Sequence, residues 1–170
     1  MAEPAKRTKP IWYLVGCVGL AILMVPCIGV VAAIAIPAFV NYARRAKTVE
    51  ARTNVATIAR GVETFCTADH VGPTGAVTNA LPAALAPTLR SPAAEPQIAT
   101  LDPGWASLGF SPGEPLRYAY SIERPSPTTA VVVAEGDLNG NGVRSRFEST
   151  CTLAGTSCSC TPVSVINELE

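Results

Sequence analysis

Asp137-Leu138-Asn139-Gly140-Asn141-Gly142-Val143-Arg144-Ser145-Arg146-Phe147-Glu148 fits D-x-[DN]-x-[DN]-G-x5-E over its full length, the spacing of a calcium-binding loop. Calcium needs about six to eight oxygens around a tight turn. Here Asp137, Asn139, Asn141, the Val143 carbonyl, Ser145 (directly or through water) and Glu148 would supply them, and Gly142 the sharp turn. Only two of these ligands are acidic, so weak affinity is expected. The residues ahead of the loop read as a strand, not as the incoming helix of an EF-hand. The plain alternative is a β-hairpin, because Asn-Gly is the strongest short hairpin signal.

Cysteine chemistry is the second candidate. Cys17 and Cys27 lie inside a long apolar run and are expected to behave as small apolar side chains. Cys66, Cys151, Cys158 and Cys160 lie beyond it, and an even set of four in an exported part suggests two disulfides. Cys158 and Cys160 flank a single residue and point the same way on a strand, so they should not pair with each other. Two pairings remain. Thr152 to Ser157 reads as a strand end and a hairpin turn centred on Gly155-Thr156, which sets Cys151 opposite Cys160. The favoured pairs are therefore Cys151–Cys160 and Cys66–Cys158. Zinc is the alternative: Cys66 and His70 have helical i,i+4 spacing, but the remaining spacing is not finger-like.

Catalysis has little to stand on. The one histidine, His70, sits beside Asp69 at an expected helix end, and no Ser lies in a Gly-x-Ser-x-Gly elbow. There is no Walker loop and no G-x-G-x-x-G run opening a helix. Neither an enzyme nor a small-molecule substrate is expected.

The elements that must position these residues begin with a stretch, residues 10–43, that holds no charge. Residues 11–40 are almost wholly apolar, and about 20 such residues span a bilayer. Lys6, Arg7 and Lys9 precede the run, which argues for a cytoplasmic N-terminus and an exported remainder in contact with membrane lipid through a single span. Arg44, Arg45 and Lys47 follow it and oppose that orientation, but long downstream domains translocate largely regardless of such charges. The run is too long for an ordinary signal core and ends without a small-residue cleavage site. Leu14-Val15-Gly16-Cys17 has the form of a lipobox, with only Ile11, Trp12 and Tyr13 as its apolar core.

Residues 11–68 read as one helix. Its later half carries Val55, Ile58, Ala59, Val62, Phe65 and Cys66 at three- and four-residue spacing, an amphipathic stripe, with Arg44, Arg45, Arg52 and Arg60 on other faces. Pro26 and Pro37 should kink or loosen the membrane half, and Gly72-Pro73 should close the helix. Ten of the fifteen prolines fall between Pro73 and Pro127, a loop-rich region pinned by Trp105, Leu108 and Phe110. The period then becomes two. Leu116, Tyr118, Tyr120 and Ile122 form one half-buried strand. Val131, Val132 and Val133 suggest a central one, and Val143 to Leu153 another. A last strand is expected within residues 163–169. The expected organisation is a cytoplasmic segment 1–10, a span 11–40, an extramembrane helix 41–68, a Pro-rich loop region 69–114, and an antiparallel sheet 115–170 with one face on the helix stripe. The fold class is α+β. Residues 61–170 carry five Lys/Arg against eleven Asp/Glu. That sign repels phosphate backbones, so nucleic acid is not an expected partner, and it tolerates a cation.

Gly29-Val30-Val31-Ala32-Ala33-Ile34-Ala35-Ile36-Pro37-Ala38-Phe39-Val40-Asn41-Tyr42, followed by Ala43-Arg44-Arg45-Ala46-Lys47-Thr48-Val49-Glu50-Ala51-Arg52, resembles the type IV pilin and type II secretion pseudopilin family. The resemblance covers about 30 residues. It implies a pilin-like architecture: a helix anchored in the bacterial inner membrane that packs against the helices of other pilin-like subunits, with a disulfide-bearing head in the periplasm or on an extracellular filament. Pro37 matches the family's helix-kinking proline. Some pseudopilin heads bind calcium, which the 137–148 loop would match. Counting back from Pro37, the family's Gly-Phe processing junction falls on Val15 and Gly16, and its glutamate, which pairs with a neighbouring subunit's N-terminal amine, falls on Leu20.

Overall fold

The structure is a computed structural model and describes residues 9–71, 75, 77–93 and 95–168. Lys6, Arg7 and the Gly72-Pro73 helix stop lie outside them. The chain divides into two compact units, Met1–Ala43 and Arg44–Glu170.

Helix α1 covers Lys9–Thr67 and runs on through Pro26 and Pro37. In the first unit its described side chains are exposed, all but Ala32 among residues 12–42. In the second unit the same helix is one-sided. Thr48, Ala51, Val55, Ile58, Ala59, Val62 and Cys66 are buried, and they recur at three- and four-residue steps, which puts them on one face. Phe65 is only partly buried and packs at the margin of the core.

The sheet that receives this face is antiparallel, built from β3 (Ala119–Ser126), β4 (Thr129–Gly136), β5 (Ser145–Ala154), β6 (Ser157–Cys160) and β7 (Ser164–Ile166), after a short ladder of β1 (His70–Val71) and β2 (Val77–Thr78). β4 is flanked by β3 and β5, which is why its valines are apolar in succession: Val132 faces the helix side with Ala130 and Ala134, while Val131 and Val133 face the other way. β6 and β7 both pair with β5, at Cys151–Ala154 and Arg146–Glu148 respectively. They run in the same direction along one edge, and the partner sum shifts by one residue between them. The expected last strand is thus the continuation of β6 past a one-residue irregularity at Pro162, which has no N–H to donate to the ladder.

The Pro-rich segment is more ordered than its composition suggests. It holds helix α2 (Pro103–Ser107), capped by Asp102 Oδ1 accepting the Gly104 N–H at 2.8 Å. It also lies along the free edge of β3 through Leu85 and Ile122, which exchange two backbone hydrogen bonds, and through Gln97 and Leu116 beyond the strand's end. An edge strand with open backbone groups is thereby covered. Trp105, Leu108 and Phe110 are buried in the core. Gly61 is required where this segment meets α1: a Cβ there would stand 2.2 Å from the Leu108 carbonyl oxygen.

Candidate functional site

The β4–β5 connection carries the calcium-like motif. Asp137 accepts the Gly140 N–H on Oδ1 at 2.7 Å and the Gly142 N–H on Oδ2 at 2.9 Å. Asn139 Oδ1 accepts the Asn141 N–H at 2.9 Å, and Asn141 Oδ1 accepts the Val143 N–H at 2.7 Å. Gly140 and Gly142 have φ of +73° and +85°, values at which glycine bears no steric cost. Buried Leu138 anchors the loop from below.

These bonds link Asp137, Asn139, Asn141 and Val143 to the loop backbone, whereas Ser145 and Glu148 have other partners and point to opposite faces of a strand. The reason is periodicity. β5 begins at Ser145, so the last four positions of the motif are strand, and residues three apart on a strand point to opposite faces. Ser145 is buried and donates to the Gly136 carbonyl at 3.1 Å. Glu148 lies on the outer face and accepts from Arg146 Nε at 3.0 Å. Among the described residues no group of three His, Cys, Asp or Glu is placed to hold a metal ion.

Glu148 belongs instead to a charged network on the outer sheet face. Arg146 reaches Glu123 at 3.2 Å, Glu135 at 3.1 Å and Glu148 at 3.0 Å, and Arg144 reaches Glu135 at 3.0 Å. Each pair is partly solvated and individually weak, but one guanidinium serving three carboxylates holds β3, β4 and β5 together.

On the inner side, disulfides join Cys66 to Cys158 and Cys151 to Cys160. Cys66 is thus occupied, which removes it from the zinc alternative. His70 Nε2 instead donates to the Phe65 carbonyl at 2.7 Å, and its ring lies 4.2 Å from that of Phe65. Cys17 and Cys27 are free and exposed on α1.

Polar side chains beside the apolar stripe of α1 also tie helix to sheet, and sequence patterning gave them no role. Glu63 Oε1 accepts the Cys160 N–H at 2.8 Å, and Asn54 Nδ2 donates to Tyr120 Oη at 2.9 Å. Glu50 Oε1 accepts the Tyr118 N–H at 3.4 Å and the Tyr120 hydroxyl at 3.3 Å. The available signal was position: Glu50, Asn54 and Glu63 each adjoin a buried stripe residue, Ala51, Val55 or Val62.

The remaining feature is the first unit. By length and composition, α1 is the one helix among the described residues able to cross a membrane, and its apolar window is wholly unburied. No family model matches this chain, and neither a curated protein nor a solved structure matches it.

Proposed function

We propose that the chain is a pilin-like structural subunit of a type IV pilus or type II secretion pseudopilus. It is anchored in the bacterial inner membrane by the first part of α1 and assembles with other pilin-like subunits through that helix. The observation that carries this reading is the change of character along α1. Residues 12–42 expose Leu, Ile, Val and aromatic side chains, while residues 48–66 bury a single stripe under a disulfide-stapled sheet. Apolar side chains such as Ile34 and Phe39, 71% and 70% exposed, need lipid or other helices around them. The resemblance of residues 29–52 to pilins supplies the identity of those neighbours.

A second reading is an uncleaved envelope protein that uses a pilin-like head for adhesion or scaffolding. It is favoured by Val15, Gly16 and Leu20, which stand where the family has its processing junction and glutamate. Mass spectrometry of the protein purified from its own membranes separates the two. A mature N-terminus within residues 15–20 is expected for the assembling subunit. An intact Met1 or Ala2 terminus would favour the anchor.

A further inference from the structure

Asn139-Gly140 and Asn141-Gly142 are two consecutive Asn-Gly pairs on the exposed β4–β5 connection. In such a pair the backbone nitrogen of the glycine can attack the asparagine Cγ, because no glycine side chain hinders its approach. Three groups govern the rate: a base for the attacking N–H, a donor to the oxygen that gains negative charge, and a backbone that lets the ring close.

The loop supplies the first two, twice. Asp137 Oδ1 accepts the Gly140 N–H at 2.7 Å and Oδ2 accepts the Gly142 N–H at 2.9 Å, so one carboxylate holds both attacking nitrogens. The amide oxygen of Asn139 already receives the Asn141 N–H at 2.9 Å, and that of Asn141 receives the Val143 N–H at 2.7 Å. These donors polarise the carbonyls and would stabilise the tetrahedral oxyanion. Both glycines have positive φ, a region open to them because they carry no Cβ.

We infer that this loop is a self-modification site, in which Asp137 promotes succinimide formation at Asn139 and Asn141. The bond Gly140 N–Asn139 Cγ forms, Asp137 takes the proton from that nitrogen and passes it to Asn139 Nδ2, and the Cγ–Nδ2 bond breaks to release ammonia and restore the carboxylate. Water then adds to either imide carbonyl and opens the ring to an aspartyl or isoaspartyl residue. The Asn141-Gly142 pair follows the same course. Each event exchanges an amide for a carboxylate and adds negative charge beside Asp137.

The test is peptide mass spectrometry of the loop in the full chain, kept in detergent at mildly alkaline pH and sampled over days. A parallel sample is unfolded in urea with its disulfides reduced. Conversion at Asn139 and Asn141 is expected to be faster in the folded chain, and to vary less steeply with pH than in the unfolded one, because a carboxylate replaces hydroxide as base. D137N is expected to slow it by about tenfold or more. A folded chain that converts no faster than the unfolded one would overturn the inference, and so would a D137N rate equal to the wild type's. The comparison of folded with unfolded wild type does not depend on how D137N folds.

Discussion

Glu50 on α1 accepts the backbone N–H of Arg117 at 3.0 Å, and the Arg117 guanidinium lies 3.6 Å from the same carboxylate, across 67 residues of chain. Arg117 and Tyr118 lie just before β3, so their N–H groups lack ladder partners and the helix supplies the acceptor. Glu50→Ala should leave both donors short of a partner and cost about 1–3 kcal/mol. Chemical denaturation of a fragment beginning at Arg44 checks this. A loss within a few tenths of a kcal/mol would show that water replaces the carboxylate.

The two disulfides should not contribute equally. Cys66–Cys158 closes 92 residues and Cys151–Cys160 closes 9. Loop-closure entropy in the unfolded chain then favours the first by about 2 kcal/mol. Replacing Cys66 and Cys158 together with Ala is expected to lower the denaturation midpoint more than replacing Cys151 and Cys160. The opposite order would mean that local strand pairing outweighs chain entropy.

Tyr118 and Tyr120 predict an alkaline limit. Burial pushes the Tyr118 hydroxyl up to about 12, and burial together with the Glu50 carboxylate pushes Tyr120 further in the same direction. In the unfolded chain both ionise near pH 10. Between these values the unfolded state gives up protons that the folded state keeps, so stability is intact below about pH 10 and falls as pH rises towards about 12. The fragment from Arg44 contains no other tyrosine. Its phenolate absorbance should therefore appear together with unfolding, and a titration near pH 10 with the fold intact would contradict the burial.

The parts of the fold legible in the sequence are those with an uninterrupted period. The stripe through Val55, Ile58 and Val62 and the alternation through Tyr118, Tyr120 and Ile122 each report one face against one core. The hairpin turn at Gly155-Thr156 put Cys151 opposite Cys160, where the β5–β6 register has it. Short or irregular pieces escaped. Leu85 and Gln97 each join the chain near β3 by a single bridge, with no period to detect, and Pro162 disguises β6 and β7 as separate elements. In the 137–148 loop a motif defined by spacing met a strand where its pattern presumes a loop and helix. Ser145 and Glu148 consequently diverge although their spacing fits. Glu50 and Glu63 had only their position beside the stripe as a signal, and a carboxylate there reads as solvated until its backbone partner is known.

The most direct measurement is the partition of the intact chain between membrane and water. Membranes from cells making the protein are washed at alkaline pH and then treated with detergent. The chain is expected to stay in the membrane pellet through the wash and to enter solution only with detergent, because residues 12–42 expose their apolar side chains. Recovery of the unprocessed, folded chain in the aqueous wash would contradict the anchor on which the pilin-like reading rests.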